Sequence, residues 1–131
     1  MQLLFCLLAD SVNVSREGKL NVLGIFNLIT ASRFPAVHPQ MHVVMRFEAT
    51  PGEYGTTQDV EVKLIDQDGK PILAAPKQID VPTDGGGRNV ELNLMLVLNN
   101  VLFEREGEYS IRVLVNNDEK GSLPLRVNTT G

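Results

Sequence analysis

NVELNLMLVL, residues 89–98, sets Val90, Leu92, Leu94, Leu96 and Leu98 at every second position. Side chains that recur with period two lie on one face of a strand, whereas a helix face needs spacings of three and four. Working outward, the same alternation returns in HVVMRFEA (42–49), where Val43, Met45, Phe47 and Ala49 oppose His42, Arg46 and Glu48. In QDVEVKLI (58–65), Val60, Val62 and Leu64 oppose Asp59, Glu61 and Lys63. In EYSIRVLV (108–115), Tyr109, Ile111, Val113 and Val115 point inward, with Glu108, Ser110 and Arg112 outward. Each pattern predicts a half-buried strand with a wet face, as antiparallel sheets have.

Turn chemistry fills the gaps between these runs. DQDGK (66–70) holds Asp68-Gly69, a pair that suits a type I′ hairpin because both positions tolerate positive φ. SREGK (15–19) links Val12–Val14 to Leu20–Val22 through Gly18. NNDEKGS (116–122) leads into SLPLRV, whose Pro124 lacks an N–H and is therefore expected on an edge strand. PTDGGGRN (82–89) is a loop. In FEREGEYSIRVLV (103–115), Gly107 precedes Tyr109 by two residues, the pattern of a tyrosine corner, in which the ring is buried and the hydroxyl bonds to nearby backbone. About eight or nine short strands at hairpin spacing predict an all-β, immunoglobulin-like antiparallel β-sandwich, with residues 1–131 as one domain.

Composition narrows the partners. The net charge of −4, with no cluster of Lys or Arg, is taken to exclude nucleic acid, whose affinity comes largely from cations on phosphates. Without Trp and with few other aromatics, a stacking platform for bases is not expected. Cys6 stands alone, so no internal disulfide forms, and a reducing, cytoplasmic location is expected. No apolar run reaches the roughly eighteen residues of a spanning helix, so no membrane is expected. The opening MQLLFCLLAD lacks the basic flank of a secretory signal, and Cys6 follows Phe5 where a lipoprotein would carry a small residue. Its run Leu3–Ala9 is read as a strand.

Motifs for chemistry fail on inspection. Fitted as a calcium loop around Gly69, the segment LIDQDGKPILAA puts Leu64 at position one and Ala75 at position twelve, where charge is needed. His38 and His42 flank Pro39, and four strand residues span about 13 Å, too far for one metal ion. DGGGRN lacks the lysine and hydroxyl of a phosphate loop, and a strand follows it instead of a helix. No serine sits in a nucleophile elbow, and Cys6 has no basic neighbour. The sequons at Asn13 and Asn128 matter only in a glycosylating compartment. No enzyme, cofactor or metal is predicted.

Three stretches, ADSVNVSREGKLNVLGIF (9–26), FPAVHPQMHVVMRF (34–47) and GEYSIRVLVNNDEKGSLPLRV (107–127), resemble an uncharacterised family of small bacterial Ig-like β-sandwich proteins over nearly the whole chain. The resemblance implies a bacterial, cytoplasmic origin and a sandwich fold. It brings no activity with it.

Two strands depart from the wet-face rule. In the first, Leu4, Cys6 and Leu8 oppose Leu3, Phe5, Leu7 and Ala9. In KLNVLGIFNLI (19–29), Leu20, Val22, Phe26 and Leu28 oppose Leu23, Ile25 and Ile29, an anomaly that a bulge at Gly24 would reduce. The segment Ala31–Gln40 is the available internal cover. Otherwise Leu3, Phe5, Leu7, Leu23 and Ile25 form a candidate interface for a homo-oligomer or a protein partner, each worth roughly 1.5–3 kcal/mol on full burial. The expected function is a non-catalytic interaction and assembly module, and a terminal apolar strand also suits strand addition to a neighbour. The alternative is a small-molecule binder whose loops, TDGGGRN and FPAVHPQ, present Arg88 and His38 to the ligand.

Overall fold

The computed structural model describes residues 1–130. Nine strands follow the chain: β1 (Gln2–Val14), β2 (Leu20–Phe26), β3 (Leu28–Ala31), β4 (Ala36–Ala49), β5 (Thr57–Ile65), β6 (Pro71–Asp80), β7 (Val90–Phe103), β8 (Gly107–Val115) and β9 (Asp118–Thr129). One turn of 3-10 helix, Pro51–Glu53, precedes β5. Sheet A runs β2-β1-β4-β7 and sheet B runs β3-β9-β8-β5-β6. The all-β sandwich is therefore as expected, with one departure from antiparallel order: β3 pairs with β9 in parallel.

The alternating runs supply the core. Val43, Met45 and Phe47 of β4 and Val62, Leu64, Ile111 and Val113 of β5 and β8 have no exposed surface. Leu94, Leu96 and Leu98 of β7 join the same cluster. Tyr109 closes one end, only 5% exposed, with its hydroxyl donating to the Arg105 carbonyl at 2.5 Å. Its ring meets Phe103 edge-on, centroids 5.1 Å apart. Pro124 faces Ser110 in β9, before the Arg126–Thr129 section that β3 pairs with, so its missing N–H falls on a locally unpaired edge.

Turn types depart from the expectation in an instructive way. At Asp66–Lys70 only Gly69 has positive φ (+84°), Asp66 N–H donates to the Lys70 carbonyl, and the Asp66 carboxylate accepts from the N–H groups of Asp68 and Lys70. Ser15–Lys19 repeats the arrangement around Gly18. Both are type I turns closed by a left-handed glycine. The hairpin with two positive-φ residues lies at Asn116 (50°) and Asn117 (67°), joining Val115 directly to Asp118.

Bulge placement is also corrected. The β1–β2 register is continuous through Gly24, although that glycine takes φ +72°. The shift lies in β1 itself, between Leu3 and Phe5, so that Leu3 faces Phe47 and Phe5 faces Arg46. Leu4 is the extra residue. The expected cover, Ala31–Gln40, instead passes from sheet B to sheet A and opens β4, with Ala36 opposite Phe103.

Candidate functional site

The outer faces of the two sheets differ. On sheet B the exposed side is ionic: Lys63 lies 3.4 Å from Glu61, Arg112 3.1 Å from Glu119 and Arg126 2.7 Å from Glu108. On sheet A the strand registers build apolar rows. Ile25, Ala9, His42 and Val97 lie side by side across β2, β1, β4 and β7. Leu7, Val44 and Met95 form the next row, and Phe5, Arg46 and Asn93 the one after.

Lateral packing within these rows is tight. Val44 and Ala9 have no exposed surface although neither belongs to the sandwich core. Arg46 caps the row below: its guanidinium lies 5.5 Å from the Phe5 ring centroid, its Nε donates to Asn93 Oδ1 at 2.9 Å, and an Nη lies 3.5 Å from Glu91. His42 Nδ1–H donates to the Asp10 carbonyl at 3.1 Å. The apolar surface left open is at the rim, where Ile25 is 60%, Leu23 61% and Val97 47% exposed.

Of the five interface residues expected from sequence, Phe5, Leu7 and Ile25 therefore share the outer face of sheet A. Leu23 is exposed on β2 beyond Gly24. Leu3 is corrected: the β1 bulge turns it inward, where its Cδ2 reaches the backbone of Gly121, within 2.8 Å of where a β-carbon would stand. Val44, Met95 and Val97 were missed because each sits in a strand already accounted for by its buried face. A sharper signal was present, since VVM (43–45) and LMLVL (94–98) are apolar at consecutive positions.

The two loop contacts do not converge. His38 lies near the start of β4, opposite Val101, with Nε2 buried and unbonded and the ring 5.9 Å from Phe26. Arg88 precedes Val90, which pairs with Ala49 at the far end of β4, and its carbonyl accepts the Tyr54 hydroxyl at 2.5 Å. Eleven strand residues separate Val90 from Val101, about 36 Å, so no single small ligand touches both side chains. Cys6 faces Met45 on the core side, and burial pushes its thiol up to about 11. Among the described residues no helix is long and apolar enough to cross a membrane.

No curated protein matches the chain. A solved structure of Pseudomonas fluorescens alkylpurine DNA glycosylase AlkC, bound to DNA containing an abasic site analog, is similar at a TM-score of 0.49 and 12% identity. The likeness covers 94% of this chain and 30% of that one, so this chain spans under a third of that protein's length. The exclusion of nucleic acid drawn from composition is corrected by this finding: a DNA-bound protein is among the similar structures. Net charge averages over a whole surface, whereas phosphates are met by local Lys and Arg. At this TM-score the likeness carries no argument for what this chain binds. The family model for DUF6941, a family of unknown function, matches residues 4–128, and the chain belongs to that family.

Proposed function

We propose that the protein is a non-catalytic interaction module that assembles, with a second copy or with another protein, through the apolar outer face of sheet A. The observation that carries this reading is the contrast between the two outer faces: ion pairs cover sheet B, while Phe5, Leu7, Ile25, Val44, Met95 and Val97 line sheet A. An antiparallel sheet facing water on one side ordinarily carries polar residues there, and a contiguous apolar patch rimmed by polar groups marks an interaction site. Burying what remains open of Ile25, Leu23 and Val97 is worth about 1–2 kcal/mol each before association costs.

The same reading includes an immunoglobulin-like kinship, supported by the Tyr109 hydroxyl bond to the Arg105 carbonyl. It includes a bacterial, cytoplasmic setting, supported by the family resemblance and by a lone, half-buried free cysteine. The absence of catalysis is supported by a thiol that burial keeps protonated. Native mass spectrometry across a concentration series tests the proposal. Wild type is expected to assemble, and Ile25→Glu with Val97→Glu to give a folded monomer. A wild-type monomer at every concentration that also captures no protein through this face, compared with the double variant, refutes it.

A further inference from the structure

The four sheet edges are not equally protected. Natural sheets blunt their edges with short strands, prolines, lysines or inward-pointing charges. β3 is four residues long, β2 is interrupted by Gly24 at φ +72°, and β6 carries Pro71, Pro76 and Lys77. β7 has none of these devices over Val90–Asn99, and Glu91 is its one charge there. Its extended run is interrupted at Asn100, where φ is +52°, before pairing with β4 resumes at Val101. β7 pairs only with β4, and among the described residues no other hydrogen bond engages its backbone from Val90 to Asn99. Alternate N–H and C=O groups of an edge strand point away from its neighbour, so a row of them is free to pair.

What lies beside that row fixes the occupant. Sheet B is one strand wider than sheet A, and β1 sits over β9 where Leu3 meets Gly121, so β6 is the strand left without a counterpart. Leu73, Ala75 and Lys77 of β6 pair with Leu64, Val62 and Val60, and therefore point to the inner side of the sandwich. Leu73 and Ala75 are half-buried, and Lys77 is exposed. A groove of about 570 Å³ opens between the Pro71–Leu73 end of β6 and the Asn99–Leu102 end of β7, its mouth carrying charges of both signs from Asp66, Asp68, Lys70, Glu104 and Arg105; Ala75 and Lys77 continue the inner side of β6 beyond it. The missing fifth position of sheet A is thus a slot with a ladder of backbone groups on one side and, along the inner side of β6 below it, Leu73 and Ala75 followed by Lys77.

We infer that this slot accepts one extended strand from a partner protein, paired to β7, with apolar residues at two alternate positions over Leu73 and Ala75 and an acidic residue two further on over Lys77. Backbone bonds to the edge supply affinity, and the alternate side chains supply selection. A second copy does not fit as well. Paired through its own β7, it would bring its β5 and β6 into the space that β6 already fills.

The test uses the full chain and two soluble twelve-residue peptides, each with valines at two alternate positions, threonines as flanks, and either aspartate or lysine two positions on. Amide hydrogen exchange followed by NMR reads the edge directly. With the aspartate peptide, outward-facing β7 amides between Val90 and Asn99 are expected to gain protection. That peptide is expected to bind about fivefold tighter than the lysine peptide at low salt, the scale of a surface ion pair. Lys77→Glu, an exposed substitution, is expected to reverse the preference. No gain in β7 protection overturns the inference, as does a preference that Lys77→Glu leaves unchanged. Protection that rises with protein concentration without peptide assigns the edge to a second copy and overturns it too. None of these readouts uses the Ile25→Glu and Val97→Glu substitutions on which the assembly experiment rests.

Discussion

Replacing Tyr109 with Phe removes one hydroxyl and leaves the ring. The ring is buried and rests edge-on against Phe103, so its packing is retained. The lost partner is the Arg105 carbonyl, 2.5 Å from the hydroxyl. Arg105 is an exposed residue, so water can take over its carbonyl and no buried acceptor is stranded. The cost is then the net value of one hydrogen bond, about 0.5–1.5 kcal/mol. For a domain of this size that lowers Tm by about 2–8 °C. Tyr109→Ala also removes the ring and is expected to cost about 3–5 kcal/mol. Equilibrium urea unfolding followed by circular dichroism measures both, with the slope unchanged if only stability moves. A Phe variant as stable as wild type would show that the hydroxyl is equally well bonded in water. A loss above about 3 kcal/mol would show that the carbonyl is closed to solvent, against the exposure argued here.

Two further outcomes follow from the first strand. Leu3→Ala is expected to cost about 1–3 kcal/mol and Leu4→Ala under about 1, because the bulge packs Leu3 inward and leaves Leu4 40% exposed; equal costs in urea unfolding would mean that the register is unshifted. Cys6 holds its proton to about 11 in the fold, against 9.0 for an unperturbed thiol. Its thiolate fraction at pH 8 is therefore about a hundredfold lower. Alkylation by iodoacetamide should be slower by about that factor than in urea, and should keep rising tenfold per pH unit beyond pH 9. The sign for stability is the same: the unfolded chain releases this proton first, so the contribution is complete below pH 9 and fades as pH climbs toward 11.

Most of the core was legible because burial and period coincide. Val60, Val62, Leu64, Ile111 and Val113 each alternate with a charged or polar neighbour, and a one-residue slip would put charge in the core. The first strand gave no such constraint. With Leu3, Leu4, Phe5, Cys6, Leu7 and Leu8 all apolar, an extra residue at Leu4 changes no polarity, so nothing in the composition marks the bulge that turns Leu3 inward. Asn116-Asn117 and Asp68-Gly69 both accept left-handed backbone, and the choice between them was made by the strands. Val115 meets Asp118 with two residues between, whereas Ile65 and Pro71 leave room for a longer loop. The separation of His38 from Arg88 was out of reach for another reason: His38 lies near the start of β4 and Arg88 just before β7, at opposite ends of a fourteen-residue strand pair, and pairing partners are a property of the whole sheet.

Val44 and Ala9 bear on how the outer face works. Both are fully covered by their neighbours on the sheet, so a partner gains nothing by touching them. Their burial is already part of the stability of the monomer, through Leu7 and Met95 on either side of Val44 and through Ile25 and His42 on either side of Ala9. In the proposed assembly, the area that a partner would remove from water belongs to the rim, chiefly Ile25, Leu23 and Val97. On that proposal stability and association separate along a single face: truncating Val44 is expected to open a cavity between Leu7 and Met95, while truncating Ile25 is expected to leave the fold alone and subtract from the contact. On the proposed reading that bare apolar rim is what a partner covers, whereas the outer face of sheet B leaves only Leu28 of β3 comparably exposed among the described residues, opposite Arg126, and carries ion pairs beside it.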